Sequence, residues 1–272
     1  MRITTILSTR RVARGWLCWL VLATVLAGCQ TSPRDDDKAS AEKLYAEARD
    51  DMAAGSYERA IKTLEKVEGR AAGTLLAQQA SLELAYAYWR TGERAQALST
   101  VDRFIKLHPS SPALDYAIYL KGLVNFNESM GILSSIARQD LSERDQQASR
   151  DAWQAFKQLV DQFPNSRYSA DARARMDYIV NALAEYELHV ARYYFRRGAY
   201  VAAANRAQHA VREYQNAPTV EEALYIMVQS YDRLGLNDLR DDAERVLKRN
   251  FPDGAVARDG LRRRESAWWK FW

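Results

Sequence analysis

From residue 41 onward, apolar residues recur every three or four positions and polar residues fill the intervals. That period places one apolar stripe along each of a series of helices, and no alternating run of Val, Ile and Thr is long enough for a sheet. Alanine recurs within the stripes, at positions where two helices would have to approach closely. The turns are marked as plainly as the helices. Gly55-x-Tyr57-x-x-Ala60, Gly92-x-x-x-x-Ala97, Gly198-x-Tyr200-x-x-Ala203 and Gly235-x-x-x-Leu239 each set a turn glycine ahead of a second helix. Pro109, Pro164 and Pro252 follow the segments 104–108, 159–163 and 247–251, and a proline lacks the N–H that a continuing helix needs. Together these marks predict five helical pairs, at 41–74, 78–111, 112–166, 168–217 and 220–253.

Gly55 to Gly92 and Gly198 to Gly235 are both 37 residues apart, close to the roughly 34-residue period of tetratricopeptide repeats. The expected fold is therefore all-α, a right-handed superhelical solenoid of five tetratricopeptide-like hairpins, in which stacking completes a core that no hairpin could bury alone. One insertion is visible in the third pair. Gly122 and Ala152 occupy the small-residue positions of its two helices, 30 residues apart where the repeat expects about 12. The extra residues fall at about 127–147, and such an insertion projects from one face, often a binding face. If first helices line the inner surface, the second pair presents Leu82, Tyr86, Trp89 and Arg90, and the third Tyr116, Tyr119, Leu123 and Phe126. Aromatics in that position suit an extended peptide with apolar side chains. The same rings at the same spacing are equally what an inter-repeat core requires.

The first 28 residues read as a signal. Arg2, Arg10, Arg11 and Arg14 precede an apolar run, Gly15 to Gly28, of 14 residues. As a helix it would rise roughly 21 Å, short of a bilayer's roughly 30 Å hydrocarbon core. It ends in Leu26-Ala27-Gly28-Cys29, which resembles a bacterial lipoprotein box. There the signal is cut before the cysteine, which carries S-diacylglycerol and an N-acyl chain, enough for stable anchoring. Gln30 after Cys29, where aspartate would resemble an inner-membrane retention signal, points to the inner leaflet of an outer membrane. Residues 29–40 form an acylated start and polar tether, 41–253 the repeat domain, and 254–272 a basic, Trp-rich tail.

Composition narrows the chemistry. The 272 residues are 47% hydrophobic and 27% charged, which allows a substantial core and excludes a disordered chain. Without the four arginines of the signal, 35 basic residues face 35 acidic ones, so net charge gives no support to nucleic-acid binding. Cys18 and Cys29 are the two cysteines, so the repeats hold no thiol for a disulfide, a zinc cluster or a nucleophile. His108, His189 and His209 form no His-x-x-x-His pair, and no phosphate-binding glycine loop or Gly-x-Ser-x-Gly is present. His108 reads as a loop residue, and His189 and His209 as surface or partly buried helical residues. Glu221-Glu222 and Asp241-Asp242 read as solvated helix faces. No catalytic residue, metal site or dissociable cofactor is expected.

Arg196 and Arg197 close the first helix of the fourth pair, where the helix dipole alone favours cations, and with Arg206 they are the candidate partner-binding residues. Arg206 lies inside the following helix among alanines, and either contacts a partner carboxylate or stays solvated. Leu261-Arg-Arg-Arg264 and Trp268-Trp269-Lys270-Phe271-Trp272 suit a membrane interface or a partner's groove, or cap the last repeat.

Four stretches together are similar to the BamD family (also called ComL or YfiO), the lipoprotein component of the β-barrel assembly machinery. They are Leu26 to Cys29; Asp102 to Pro109 continuing through Asp115 to Gly122; Pro164-Asn-Ser-Arg-Tyr168 with Asp171-Ala172; and Ala191 to Tyr200 leading into Asn205-Arg206. The inserted Asp140–Asp145 also resembles the family's polar insertion. The resemblance implies a five-repeat scaffold without enzyme activity, lipid-anchored in the outer membrane and facing the periplasm. Its partners would be the periplasmic domains of the central barrel subunit, accessory lipoproteins and unfolded outer-membrane-protein precursors, with no nucleic acid. By the same resemblance Arg206 couples to the barrel subunit, and the N-terminal repeats receive substrate. Where the family often has an aromatic-proline segment between the first two repeats, this chain has Val67-Glu-Gly-Arg-Ala-Ala-Gly73. A tetratricopeptide lipoprotein serving cell-wall or pilus assembly is the alternative, since the repeats alone do not distinguish the two.

Overall fold

Glycine and proline fix the helix ends where the sequence places them. In a computed structural model, residues 33–126 and 143–254 are described, with side chains from 40 to 126 and 146 to 254. Cys29, most of the inserted segment and the tail after Gly254 lie outside the described residues. Ten helices are found among them: α1 Pro33–Ala53, α2 Tyr57–Arg70, α3 Leu75–Arg90, α4 Arg94–Leu107, α5 Leu114–Asn125, α6 Glu143–Gln162, α7 Ser169–Arg196, α8 Tyr200–Glu213, α9 Val220–Leu234 and α10 Asn237–Asn250. They are the two members of each of the five expected pairs, and no strand occurs among the described residues. Gly55, Gly92, Gly198 and Gly235 all adopt positive φ between the helices of a pair, the conformation a Cβ disfavours.

One helix differs from expectation, and one is unusually long. α1 begins at Pro33 rather than at 41, so part of the polar tether is helical; proline is tolerated in the first turn, where its missing N–H has no intrahelical acceptor. α7 runs for 28 residues, because no glycine or proline interrupts 168–197. The segment at 67–74 is a turn in which Gly73 has φ +80° and the Thr74 side chain accepts from the Ala77 N–H at 3.3 Å to cap α3.

The chain falls into two compact units divided between Glu93 and Arg94. In the first, α1, α2 and α3 pack on one another around Ala48, Ala60, Leu64, Val67, Ala80 and Leu84. Ala60, Ile61, Leu64 and Val67 show how α2 does this: they fall on one side of the helix, and burial of that stripe rather than intrinsic propensity holds it. In the second, α4 to α10 pack successively, and α7 also reaches α9. Phe156, Leu159, Ile179, Leu188, Leu224 and Ile226 fill its core, with Ala152, Ala184, Ala191, Ala203 and Ala207 fully buried where helices meet. Gly122 is another such close approach, facing the ring of Phe156 across α5 and α6.

Candidate functional site

The first unit gathers four of the expected groove residues or their neighbours. Tyr86 meets Tyr57 and Trp89 edge-on, with centroids 6.3 and 5.6 Å apart. The Arg90 guanidinium lies 4.8 Å from the Tyr57 ring centre and donates to the Tyr86 hydroxyl at 2.7 Å. Tyr86 and Trp89 are half-buried and Arg90 is exposed, so this cluster presents rings with one accessible face and a cation beside them. Leu82 does not join it. It is 6% exposed and offers no accessible face.

In the second unit the expected groove residues have found partners within the chain. Tyr119 stacks on Tyr168 at 4.8 Å and donates to Asp171 at 2.6 Å, and Tyr116 lies 5.5 Å from the same Tyr168 ring. Phe126 meets Phe156 and Tyr178 edge-on, with the Arg175 guanidinium 4.8 Å from its centre. Leu123 is half-buried against the same core. The expected inner stripe of the third pair is thus the seam where α5 and α6 receive the first half of α7. Sequence spacing could not separate the two roles, because both need rings on one side of α5.

Burial and the hydrogen bond to Asp171 push the Tyr119 phenol up to about 12. Burial raises the Asp171 carboxyl, but the bonds from Tyr119 and Arg175 and the charge of Arg175 outweigh it and hold it below its ordinary value. Burial together with bonds to Glu83 and Glu65 likewise pushes Tyr45 and Tyr88 up to about 12. These phenols keep their protons in the folded chain and lose them in the unfolded chain near pH 10. Their contribution is therefore complete below about pH 10 and is lost as pH rises towards 12. Urea midpoints measured between about pH 9 and 12 should fall steeply, and Tyr119→Phe should flatten the fall. An identical slope in wild type and variant would remove Tyr119 from the account.

The polar centre of the second unit lies on α7, α8 and α9. Glu187, on α7, has a side chain only 4% exposed; Arg206 Nη1 on α8 donates to its Oε2 at 3.2 Å, and His209 Nε2 stands 3.8 Å from its Oε1. The Arg206 side chain is nonetheless 48% exposed, so one edge of the guanidinium is held and the rest faces outward. Burial pushes the neighbouring Tyr214 phenol up, and the positive charge of Arg150 on α6 draws it back. One turn away, Arg192 donates from Nε and Nη2 to the two oxygens of Glu222 at 2.5 and 2.7 Å, and from Nη1 to Glu185 at 2.9 Å. The Glu222 side chain is 9% exposed, so the solvated-face expectation for Glu221-Glu222 fails at Glu222, while Asp241 and Asp242 are exposed and paired with Arg240 and Arg245. Arg196 and Arg197 are exposed at the end of α7, as the helix dipole favours, with Arg197 5.4 Å from the Tyr193 ring centre.

Sequence inspection missed Glu187 and Arg192. A carboxylate and an arginine on a long polar helix look solvated until the neighbouring helices are placed. His108 follows α4 beside Phe104, His189 is exposed and His209 half-buried, and no group of three or more metal-ligating residues occurs among the described residues.

Residues 37–247 match the family model YfiO, described as an outer membrane lipoprotein. The chain is 46% identical over 257 residues to the outer membrane protein assembly factor BamD of Neisseria meningitidis serogroup B, covering 92% of this chain and 96% of that protein. It is 35% identical over 234 residues to the protein of the same name from Haemophilus influenzae, covering 86% and 89%, and 32% identical over 234 residues to that of Vibrio cholerae, covering 86% and 97%.

Proposed function

The chain belongs to the YfiO family of outer membrane lipoproteins, and from that premise we propose that it is a non-enzymatic adaptor in the assembly of outer-membrane proteins. It is anchored by lipid, which we place on Cys29, and faces the periplasm. The observation that carries the reading is similarity along nearly the whole of each assembly-factor relative. Such a protein works by holding partners, and the two clusters above suit two partners of different chemistry.

The α7–α8 surface around Arg206 faces the periplasmic domains of the central barrel subunit. Glu187 holds one edge of the guanidinium, so little rotamer freedom remains to be lost when a partner carboxylate binds the other. The Tyr57, Tyr86, Trp89 and Arg90 cluster receives apolar side chains of unfolded barrel precursors, the half-buried rings offering area at low entropic cost. Accessory lipoproteins bind elsewhere on the surface.

Crosslinked isolation of the acylated protein from its native envelope tests both arms. Arg206→Ala should lower stoichiometric recovery of the barrel subunit about 10-fold, the effect of a hot-spot arginine, and leave precursor crosslinks in place. Alanine is the appropriate replacement, because glutamate at 206 would also face Glu187. Tyr86→Ala with Trp89→Ala should do the reverse. Unchanged recovery of the barrel subunit removes Arg206 from that interface, and recovery of only cell-wall or pilus proteins from wild type overturns the assembly role.

A further inference from the structure

The last helix of the second unit carries an apolar stripe that nothing among the described residues covers. The inner side of α10 buries Ala243 and Leu247. One edge of the same stripe stays open: Leu239 is 48% exposed and Val246 42%, and seven residues, about two turns, separate them, so they share one line along the helix. Leu236, just ahead of the helix, is 44% exposed. An apolar stripe with one edge left open is wider than the contact with α9 covers, and the terminal member of a repeat array needs a polar outer face or a cap.

We propose that the cap is the chain's own C-terminal segment, residues 255–272, docked on the outer face of α10. Gly254 leaves the second unit at the end of α10, where its backbone rests against the Glu221 side chain on the first turn of α9. Eighteen residues follow it. The link 255–260 alone, extended, spans about 20 Å, as far as the whole length of α10. Reach is therefore not limiting, and covalent attachment holds the segment near the face at an effective concentration of order 1 mM. Its chemistry matches the face. Leu261, Trp268, Trp269, Phe271 and Trp272 supply apolar area, and Arg262, Arg263 and Arg264 supply cations for the first half of α10, where Asp238, Asp241 and Asp242 outnumber Arg240. A tryptophan side chain needs a partly covered apolar surface and keeps its indole N–H at the edge, which a line of half-exposed leucine and valine provides.

The test is amide hydrogen exchange of residues 237–250 in the full mature chain and in a chain ending at Gly254. Removing 255–272 should speed exchange in α10 at least 10-fold while leaving α1–α3 unchanged, and a synthetic peptide of residues 255–272 added to the shortened chain should restore protection. Leu239→Ser with Val246→Ser in the full chain should match the shortened chain and abolish the peptide's effect. Three results would overturn the proposal: unchanged exchange on shortening, protection that grows with protein concentration and so comes from a second copy, or protection of 255–272 that arises only when phosphatidylethanolamine–phosphatidylglycerol vesicles are added.

Discussion

Replacing Arg192 by alanine should destabilise the second unit by about 3–5 kcal/mol, among the largest single effects available in the chain. The reason is what would be left behind. Glu222 is 9% exposed and both its oxygens accept from the Arg192 guanidinium, so truncation takes two charge-assisted hydrogen bonds and the Arg192 charge away from a buried carboxylate. Arg192→Lys should fall between the two, because a lysine ammonium cannot reproduce the two-point contact and would also weaken the bond to Glu185. Replacing both partners, Arg192→Leu with Glu222→Leu, should restore most of the loss, since an apolar pair of similar volume avoids the desolvation that the ion pair has to overcome. Urea unfolding of the three variants, compared at constant dependence on denaturant, measures this. A double variant as unstable as Arg192→Ala would show that the pair contributes shape rather than charge balance. The pair also locks α7 to α9, two helices that are not consecutive, so its loss loosens the scaffold beneath Arg206 and should be kept apart from any effect on partner binding.

The helices and turns were legible because their causes are local. A glycine at positive φ and a proline after the last turn act on their own neighbours, and Gly55, Gly92, Gly198 and Gly235 with Pro109, Pro164 and Pro252 fixed helix ends without reference to packing. The long α7 was legible in the same way, as an absence of punctuation between 168 and 197. The roles of side chains were not local. Tyr119 and Phe126 lie on the side of α5 that either a peptide or α7 could occupy, and only the placement of Tyr168, Asp171 and Tyr178 decides between them. Glu187 and Glu222 follow the same logic in reverse: their sequences are polar, and the next helix in the stack buries them. Arg206 stood between, with contact and solvation both left open by the alanines around it and its in-chain partner hidden 19 residues upstream on another helix. Where a residue's partner is distant, composition and period supply candidates and only packing assigns them.

Phe156→Ala should cost a further set of about 3–5 kcal/mol, and its coupling to Gly122 tells how the third hairpin is built. The Phe156 ring is fully buried, meets Tyr119 and Phe126 at centroid distances of 6.0 and 6.2 Å, and lies where a Cβ on residue 122 would stand. Gly122 is therefore glycine for a steric reason: its backbone has helical φ, and the space beside it belongs to a ring on α6. Gly122→Ala alone should destabilise by about 1–3 kcal/mol, the cost of forcing a packed aromatic off its position, even though alanine is the better helix former by about 1 kcal/mol. In the Phe156→Ala background the obstacle is gone, so the same substitution should become neutral or stabilising, and the two single effects should exceed the double by at least 1 kcal/mol. Strict additivity in a double-mutant cycle would mean that α5 moves away from α6 as a body when 122 gains a methyl group. Non-additivity would establish that a glycine–phenylalanine contact sets the spacing of these two helices. Since Tyr119 and Phe126 carry α7 from the same side of α5, that spacing is inherited by the helix that presents Glu187 to Arg206.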